Sequence, residues 1–168
     1  FAMNWFTKRG VGREQFFDAL DGYANEPHRL SLVEVVDGVS FWNDSKATNL
    51  ASVVAACQSF AEKLLWIGGG RDKGQNLTKF ARAIRPFLAK AFLYGETGSD
   101  LSKAIASQGV ASVLCDDLRD AVSQAYRNAQ LIRNVLFSPG FASYDGFANY
   151  GDRGNSFEKV VFDLKRDR

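Results

Sequence analysis

Leu64-Leu65-Trp66-Ile67-Gly68-Gly69-Gly70-Arg71-Asp72-Lys73-Gly74 decides the fold, because four unbroken apolar residues run directly into a glycine-rich polar cluster. An apolar run with no polar alternation fits a strand buried on both faces, as in a parallel sheet. Its flanks are helical. Upstream, Leu50, Val53, Val54 and Cys57 recur at i, i+3, i+4 and i+7, and downstream Leu77, Phe80, Ala81 and Ile84 repeat the stripe. The alternation continues through Ala91-Phe92-Leu93-Tyr94 (strand), Leu101, Ala104 and Ile105 (helix), and residues 110–114 (strand). Leu118, Ala121, Val122 and Ala125 (helix), Val135-Leu136-Phe137 (strand), and Phe157, Val160, Val161 and Leu164 (helix) complete it. Strands of this kind separated by helices predict an α/β fold: a mostly parallel sheet covered on both faces and built by right-handed crossovers.

Towards the N-terminus the pattern changes. Leu32-Val33-Glu34-Val35-Val36 and Val39-Ser40-Phe41-Trp42 flank Asp37-Gly38, a tight-turn dipeptide, and predict an antiparallel hairpin. Before it, Phe16, Phe17, Leu20 and Tyr23 predict an amphipathic helix over residues 13–24, and the turn-prone Asn25-Glu26-Pro27 marks a boundary near residues 25–30. The chain opens Phe1-Ala2-Met3 without a start methionine, which reads as a piece of a longer protein.

The 168 residues are 46% hydrophobic and 13% aromatic, ample for the core of one domain. Twenty-one basic against nineteen acidic residues leave +2 without a long single-sign run, so charge gives no reason to expect nucleic acid or an anionic membrane as partner. Cys57 and Cys115 fall on apolar patterns as buried reduced thiols, and no apolar run reaches the roughly 20 residues of a membrane span. A cytoplasmic location is expected.

Three polar clusters follow strands and so belong at the carboxyl edge of the sheet, where α/β folds bind ligands. Asn43-Asp44-Ser45-Lys46-Ala47-Thr48-Asn49 reads structurally as a helix N-terminus capped by Ser45, Thr48 or Asn49. Lys46 resists that reading, since a cation in the first turn opposes the helix dipole unless an anion is bound beside it, while Asp44 offers an acceptor for ribose hydroxyls or a cation. The glycine cluster matches neither phosphate-loop nor dinucleotide spacing; it is either a turn or a place where backbone approaches a ligand beside Lys73. Ser138-Pro139-Gly140-Phe141-Ala142-Ser143-Tyr144-Asp145 is a strand-end turn, with Ser143 capping the next helix, or a third wall of the site. His28 is the sole histidine, and no Ser/His/Asp, Cys/His or metal-ligand constellation is present in the sequence.

In order and spacing, Pro27-His28-Arg29, the 43–49 cluster, Gly69-Gly70-Arg71-Asp72-Lys73-Gly74, Ser138-Pro139, Ala142-Ser143-Tyr144-Asp145 and Arg153-Gly154-x-x-Phe157 resemble the D-glutamate-adding branch of the Mur ligase family. The diaminopimelate- or lysine-adding branch is similar at the glycine cluster and less so at 43–49 and 138–139. The resemblance implies a Rossmann-like carboxy-terminal domain over 27–168, preceded at 1–26 by the end of a central ATPase domain. It implies an ATP-dependent ligase that joins D-glutamate to UDP-N-acetylmuramoyl-L-alanine through an acyl phosphate, acting only with the rest of the same polypeptide, which would supply the phosphate loop and the Mg2+ ligands. By position, it makes Lys46 the catalytic cation at the transferred phosphoryl group. It gives Arg29, Asp44 and His28 to ATP, and Thr48, Lys73, Ser143, Tyr144 and Tyr150 to D-glutamate; Tyr150 stands where the family commonly has phenylalanine. Two further readings stay open: a non-catalytic domain that binds a nucleotide or amino acid, and a sibling Mur or folylpolyglutamate-type ligase with another acceptor.

Overall fold

The computed structural model describes residues 6–21, 26–72 and 74–166. Helix α1, Arg13–Asp21, forms where the aromatic stripe predicts it, and the end expected near residue 24 lies outside the described residues. The hairpin is β1, Ser31–Val36, paired antiparallel with β2, Val39–Asn43. Asp37 and Gly38 both have left-handed φ, 50° and 76°, which a two-residue turn of the primed type requires.

From β2 onward helices and strands alternate as α2 (Leu50–Gln58), β3 (Leu64–Gly69), α3 (Leu77–Ile84), β4 (Leu88–Tyr94), α4 (Gly98–Ala106), β5 (Ala111–Leu114), α5 (Leu118–Arg127), β6 (Asn134–Gly140) and α6 (Tyr150–Arg166). The sheet order is β1-β2-β6-β3-β4-β5, and every pairing except β1 with β2 is parallel. Strand β6 therefore inserts between β2 and β3, and all five parallel strands point their carboxyl ends to one edge.

Strand alternation divides the core in two. Leu64, Trp66, Leu93 and Leu136 face α2, α3 and α4, packing against Val53, Cys57, Phe80, Ile84, Leu101 and Ile105. Leu65, Ile67, Phe92, Val135 and Phe137 face α5 and α6, packing against Leu118, Val122, Phe157 and Val161. Cys57 and Cys115 are free and buried, and burial pushes the Cys57 thiol up to about 12.

Three boundaries differ from the sequence reading. Strand β6 runs on through Ser138, Pro139 and Gly140, which were expected to leave the sheet as a turn. Ile67 pairs with Phe137 but Gly69 with Gly140, so β6 spends one extra residue where Pro139 has no N–H to donate; the proline sits in a bulge. Helix α6 starts at Tyr150 rather than near Phe157, because Gly151 and Gly154 interrupt the apolar stripe without interrupting the helix. Edge strand β5 is partly exposed along its length, not buried on both faces.

Candidate functional site

The site is built from the segments that follow β2, β3, β4 and β6. After β2 the chain turns back on the sheet: the Asp44 amide donates to the Phe137 carbonyl at 2.7 Å, the Ala47 amide to the Asp44 carbonyl at 2.9 Å, and the Gly140 amide to the Ala47 carbonyl at 2.8 Å. The cap of α2 is Asn49, whose Oδ1 accepts from the Ser52 amide at 2.9 Å; Ser45 and Thr48 do not fill that role. Lys46 thus lies before the cap, not in the first turn of α2, and the helix-dipole argument for its anion does not apply.

After β3, Gly70 passes so close to the last loop that any β-carbon would strike the Ala142 carbonyl, while the Arg71 amide donates to that same carbonyl at 2.9 Å. Gln75 ties three segments together: its Oε1 accepts from the Leu50 amide at 3.3 Å and its Nε2 donates to the Gly140 carbonyl at 3.2 Å. The turn after β4 joins through the Thr97 amide, which donates to the Gly70 carbonyl at 3.1 Å, and the Glu96 amide, which donates to Asp145 Oδ2 at 3.4 Å. The three clusters read from the sequence converge on one rim, with a fourth turn beside them.

Arg153 of α6 locks this rim from beneath. Wholly buried, it donates from Nε to the Ser45 hydroxyl (3.1 Å), from Nη2 to the Ser45 carbonyl (2.9 Å) and from Nη1 to the Phe141 carbonyl (3.1 Å). Burial lowers its pKa, and its contacts are neutral oxygens. Asn43 plays a similar part at the end of β2, with Nδ2 set among the Gly154 carbonyl (3.2 Å), Glu158 Oε1 (2.8 Å) and His28 Nδ1 (2.9 Å), and Oδ1 accepting from the Ser45 amide (3.0 Å).

Asp44 is buried; Ser138 donates to its Oδ2 at 2.7 Å and the Leu30 amide to its Oδ1 at 3.2 Å. Desolvation raises its pKa against the opposing pull of those two donors and of Arg29. The Lys46 ammonium pairs with Glu26 and stands 5.9 Å from the Tyr150 ring centroid, a cation–π contact.

Two clefts meet at Lys46. One, of about 310 Å³, is lined by Arg29, Leu30, Asp44, Lys46 and the inner turn of α2. The other, of about 430 Å³, is lined by Glu26, His28, Lys46, Asn149 and Tyr150. An ammonium and a guanidinium beside a carboxylate match the phosphates and ribose of a nucleotide in donor chemistry. His28 is placed differently from a surface ligand: its ring is buried against Asn43 and Glu158 (3.4 Å), although the residue also lines the second cleft.

Of the residues expected to hold an amino acid, Thr48 is half-buried in the first loop, and Ser143 is buried, its carbonyl accepting from the Phe147 amide at 2.9 Å. Ser143 does not cap α6; Asn149 does, accepting from the Asp152 amide at 2.9 Å. Tyr144 is 67% exposed, while Tyr150, 41% exposed, lines the second cleft with its ring near Lys46. Lys73 lies outside the described residues. Arg153, Asn43 and Ser138 fall in strings that carry the family resemblance but were given no role at the site; for Arg153 the signal was the Arg153-Gly154-x-x-Phe157 string.

Among the described residues no three His, Cys, Asp or Glu side chains are grouped to hold a metal ion, and no helix is long and apolar enough to cross a membrane.

This fold, with polar loops gathered over one sheet edge and a buried arginine beneath them, defines an α/β domain with a candidate ligand site. The model of the family described as "Mur ligase, glutamate ligase domain" matches residues 28–141, and the chain belongs to that family. A UDP-N-acetylmuramoylalanine--D-glutamate ligase of Bordetella avium is 39% identical over 150 residues, 89% of this chain and 30% of that protein. In fold, MurF from Acinetobacter baumannii matches with a TM-score of 0.64 at 16% identity, over 94% of this chain and 34% of that one. The Mycobacterium tuberculosis folylpolyglutamate synthase complexed with ADP matches at 0.61 and 16% identity, over 82% of this chain and 33% of that one. The chain spans about a third of the length of the relatives it matches.

Proposed function

We propose that this domain receives D-glutamate and closes over the nucleotide in an ATP-dependent ligase that joins D-glutamate to UDP-N-acetylmuramoyl-L-alanine, a step of peptidoglycan precursor synthesis in the cytoplasm. The observation that carries the reading is Lys46 as the wall shared by two clefts, one bordered by Arg29 and Asp44 and the other by Tyr150. A cation at such a junction stabilises charge passing between a donor on one side and an acceptor on the other, by position and field alone. Arg29 and Asp44 take the phosphates and ribose, and His28 holds their loop through Asn43. Thr48, Lys73, Ser143, Tyr144 and Tyr150 hold the amino acid, a dicarboxylate that calls for cations and hydroxyl donors.

ATP supplies the phosphoryl group that activates the carboxylate of the nucleotide-linked alanine. The ADP in the folylpolyglutamate synthase complex supports an adenine nucleotide in that role. The phosphate loop and the magnesium ligands are assigned to a central domain of the same polypeptide, whose tail end is residues 1–26; the family match beginning at residue 28 supports that boundary.

The complete ligase, assayed with D-glutamate, L-glutamate and L-lysine, should turn over with D-glutamate alone. Turnover with another acceptor and none with D-glutamate would overturn the assignment. Titrating D-glutamate into the labelled domain should shift amides at 46–48, 70–74 and 142–145, and shifts elsewhere would move the pocket.

A further inference from the structure

The two cations assigned to phosphate already share an anion. Glu26 contacts the Lys46 ammonium and lies 3.4 Å from Nη2 of Arg29, with its own side chain half exposed. Hydrogen bonding and attraction from Lys46, then attraction from Arg29, hold the Glu26 carboxyl below its ordinary range. The residues that follow Glu26 are fastened to the same loop. The Lys46 amide donates to the His28 carbonyl at 3.0 Å, the Leu30 amide to Asp44 Oδ1 at 3.2 Å, and the Arg29 amide to the Glu26 carbonyl at 3.2 Å. Two non-glycine residues of this connector, His28 (φ 62°) and Leu30 (φ 46°), hold left-handed backbone, a conformation that persists only where surrounding contacts enforce it. Glu26 is thus delivered to the cations by a shaped segment.

We propose that Glu26 is an internal occupant of the phosphate position, a carboxylate that bridges Lys46 and Arg29 until a phosphate oxyanion displaces it. The inference rests on the reading of Lys46 and Arg29 given above and adds how their site is regulated. An exposed carboxylate pair is weak enough to yield, and a phosphate brings more charge and more acceptor oxygens to the same two donors. While Glu26 is in place, a solvent anion must compete with it for the two cations, and Lys46 lies near the Tyr150 ring. Apparent phosphate affinity falls by the fraction of time the position is filled.

The test is an NMR titration of the chain with inorganic pyrophosphate, following the side-chain signals of Lys46 and Arg29 in the wild type and Glu26→Gln, and that of Arg29 in the double variant Glu26→Gln/Lys46→Met. Glu26 is exposed, and unchanged amide shifts beyond residues 26–47 will show that the single variant folds. Glu26→Gln should bind pyrophosphate about two- to fivefold tighter than the wild type, the range for one exposed ion pair, and the double variant should lose that gain. Equal or weaker binding by Glu26→Gln, with Lys46 still perturbed in the wild type, overturns the inference and leaves the role of Lys46 standing. Pyrophosphate that perturbs neither cation in any variant overturns that role as well. D-glutamate, titrated in parallel, should not gain from Glu26→Gln, and an equal gain would overturn the assignment of the position to phosphate.

Discussion

Arg153 donates to both the hydroxyl and the carbonyl of Ser45, at 3.1 and 2.9 Å, so the last helix of the domain fixes the loop that carries Lys46. The same guanidinium reaches the Phe141 carbonyl, and one buried cation therefore sets the spacing between the first and last walls of the site. Its acceptors are neutral, which keeps its charge available to the rim above it.

Arg153→Met keeps much of the volume and removes every donor. The buried carbonyls of Ser45 and Phe141 then lose the guanidinium, the Ser45 hydroxyl keeps only its bond to the Tyr150 carbonyl, and relief from burying the charge offsets only part of that loss. We expect a loss of about 2–4 kcal/mol in urea denaturation, together with chemical-shift changes in residues 44–47 and 141–143. A loss under about 1 kcal/mol would mean that the loops hold themselves.

Gly154→Ala tests the packing between α6 and the connector. In most helix interiors this exchange stabilises by about 1 kcal/mol. Here a β-carbon would overlap the imidazole of His28, which cannot retreat without breaking its contacts to Asn43 and Glu158. We expect the sign to reverse, with a loss of about 1–3 kcal/mol in thermal or urea unfolding. Stabilisation would show that the His28 ring is free to move.

Much of this was legible in the sequence, and the parts that were not share a cause. Asp37-Gly38 and the unbroken Leu64-Leu65-Trp66-Ile67 run are local signals, and local geometry follows from them. The parallel sheet and the N-terminal hairpin also followed from the pattern of apolar runs, whereas the insertion of β6 between β2 and β3 is seen only in the structure. Pro139 misled because proline marks turns in general, whereas here the pairing of β6 with β3 absorbs it in a bulge. Arg153 and Asn43 stood in strings read from the sequence, but their roles could not be read there, because those come from burial between segments about 100 residues apart in sequence. Lys46 was found, although for a reason the structure replaces: Glu26, not a helix terminus, is its electrostatic partner.

Asp44→Asn gives a pH signature. Burial raises the folded-state pKa of Asp44 above its unfolded value of 3.8, so in the window above 3.8 the folded state binds more protons than the unfolded one. Stability contributed by this group is present at low pH and is lost as pH rises through the folded-state pKa. The amide has no charge to desolvate, and it still accepts from the Leu30 amide while Ser138 rotates to accept. Measured by urea unfolding from pH 3 to pH 7, the stability of Asp44→Asn relative to the wild type should therefore rise with pH and then level off. A relative stability that falls over that range would place a stabilising charge on Asp44 instead.

Lys46→Ala separates function from folding most sharply. The ammonium is 30% exposed and its partner Glu26 is 53% exposed, so the pair contributes about 1 kcal/mol or less to stability. Under the proposed function its value lies in the field at the junction of the two clefts, and loss of a single preorganised charge from an active site costs on the order of 100- to 1000-fold in turnover. In the complete ligase we expect turnover to fall by that factor, with unfolding of the domain shifted by about 1 kcal/mol or less. Lys73→Ala, measured alongside, should chiefly raise the Michaelis constant for the amino acid, because that cation is assigned to binding and not to the transferred group. Wild-type turnover in Lys46→Ala, or equal effects of the two variants on both constants, would remove the distinction between a phosphoryl cation and an acceptor cation.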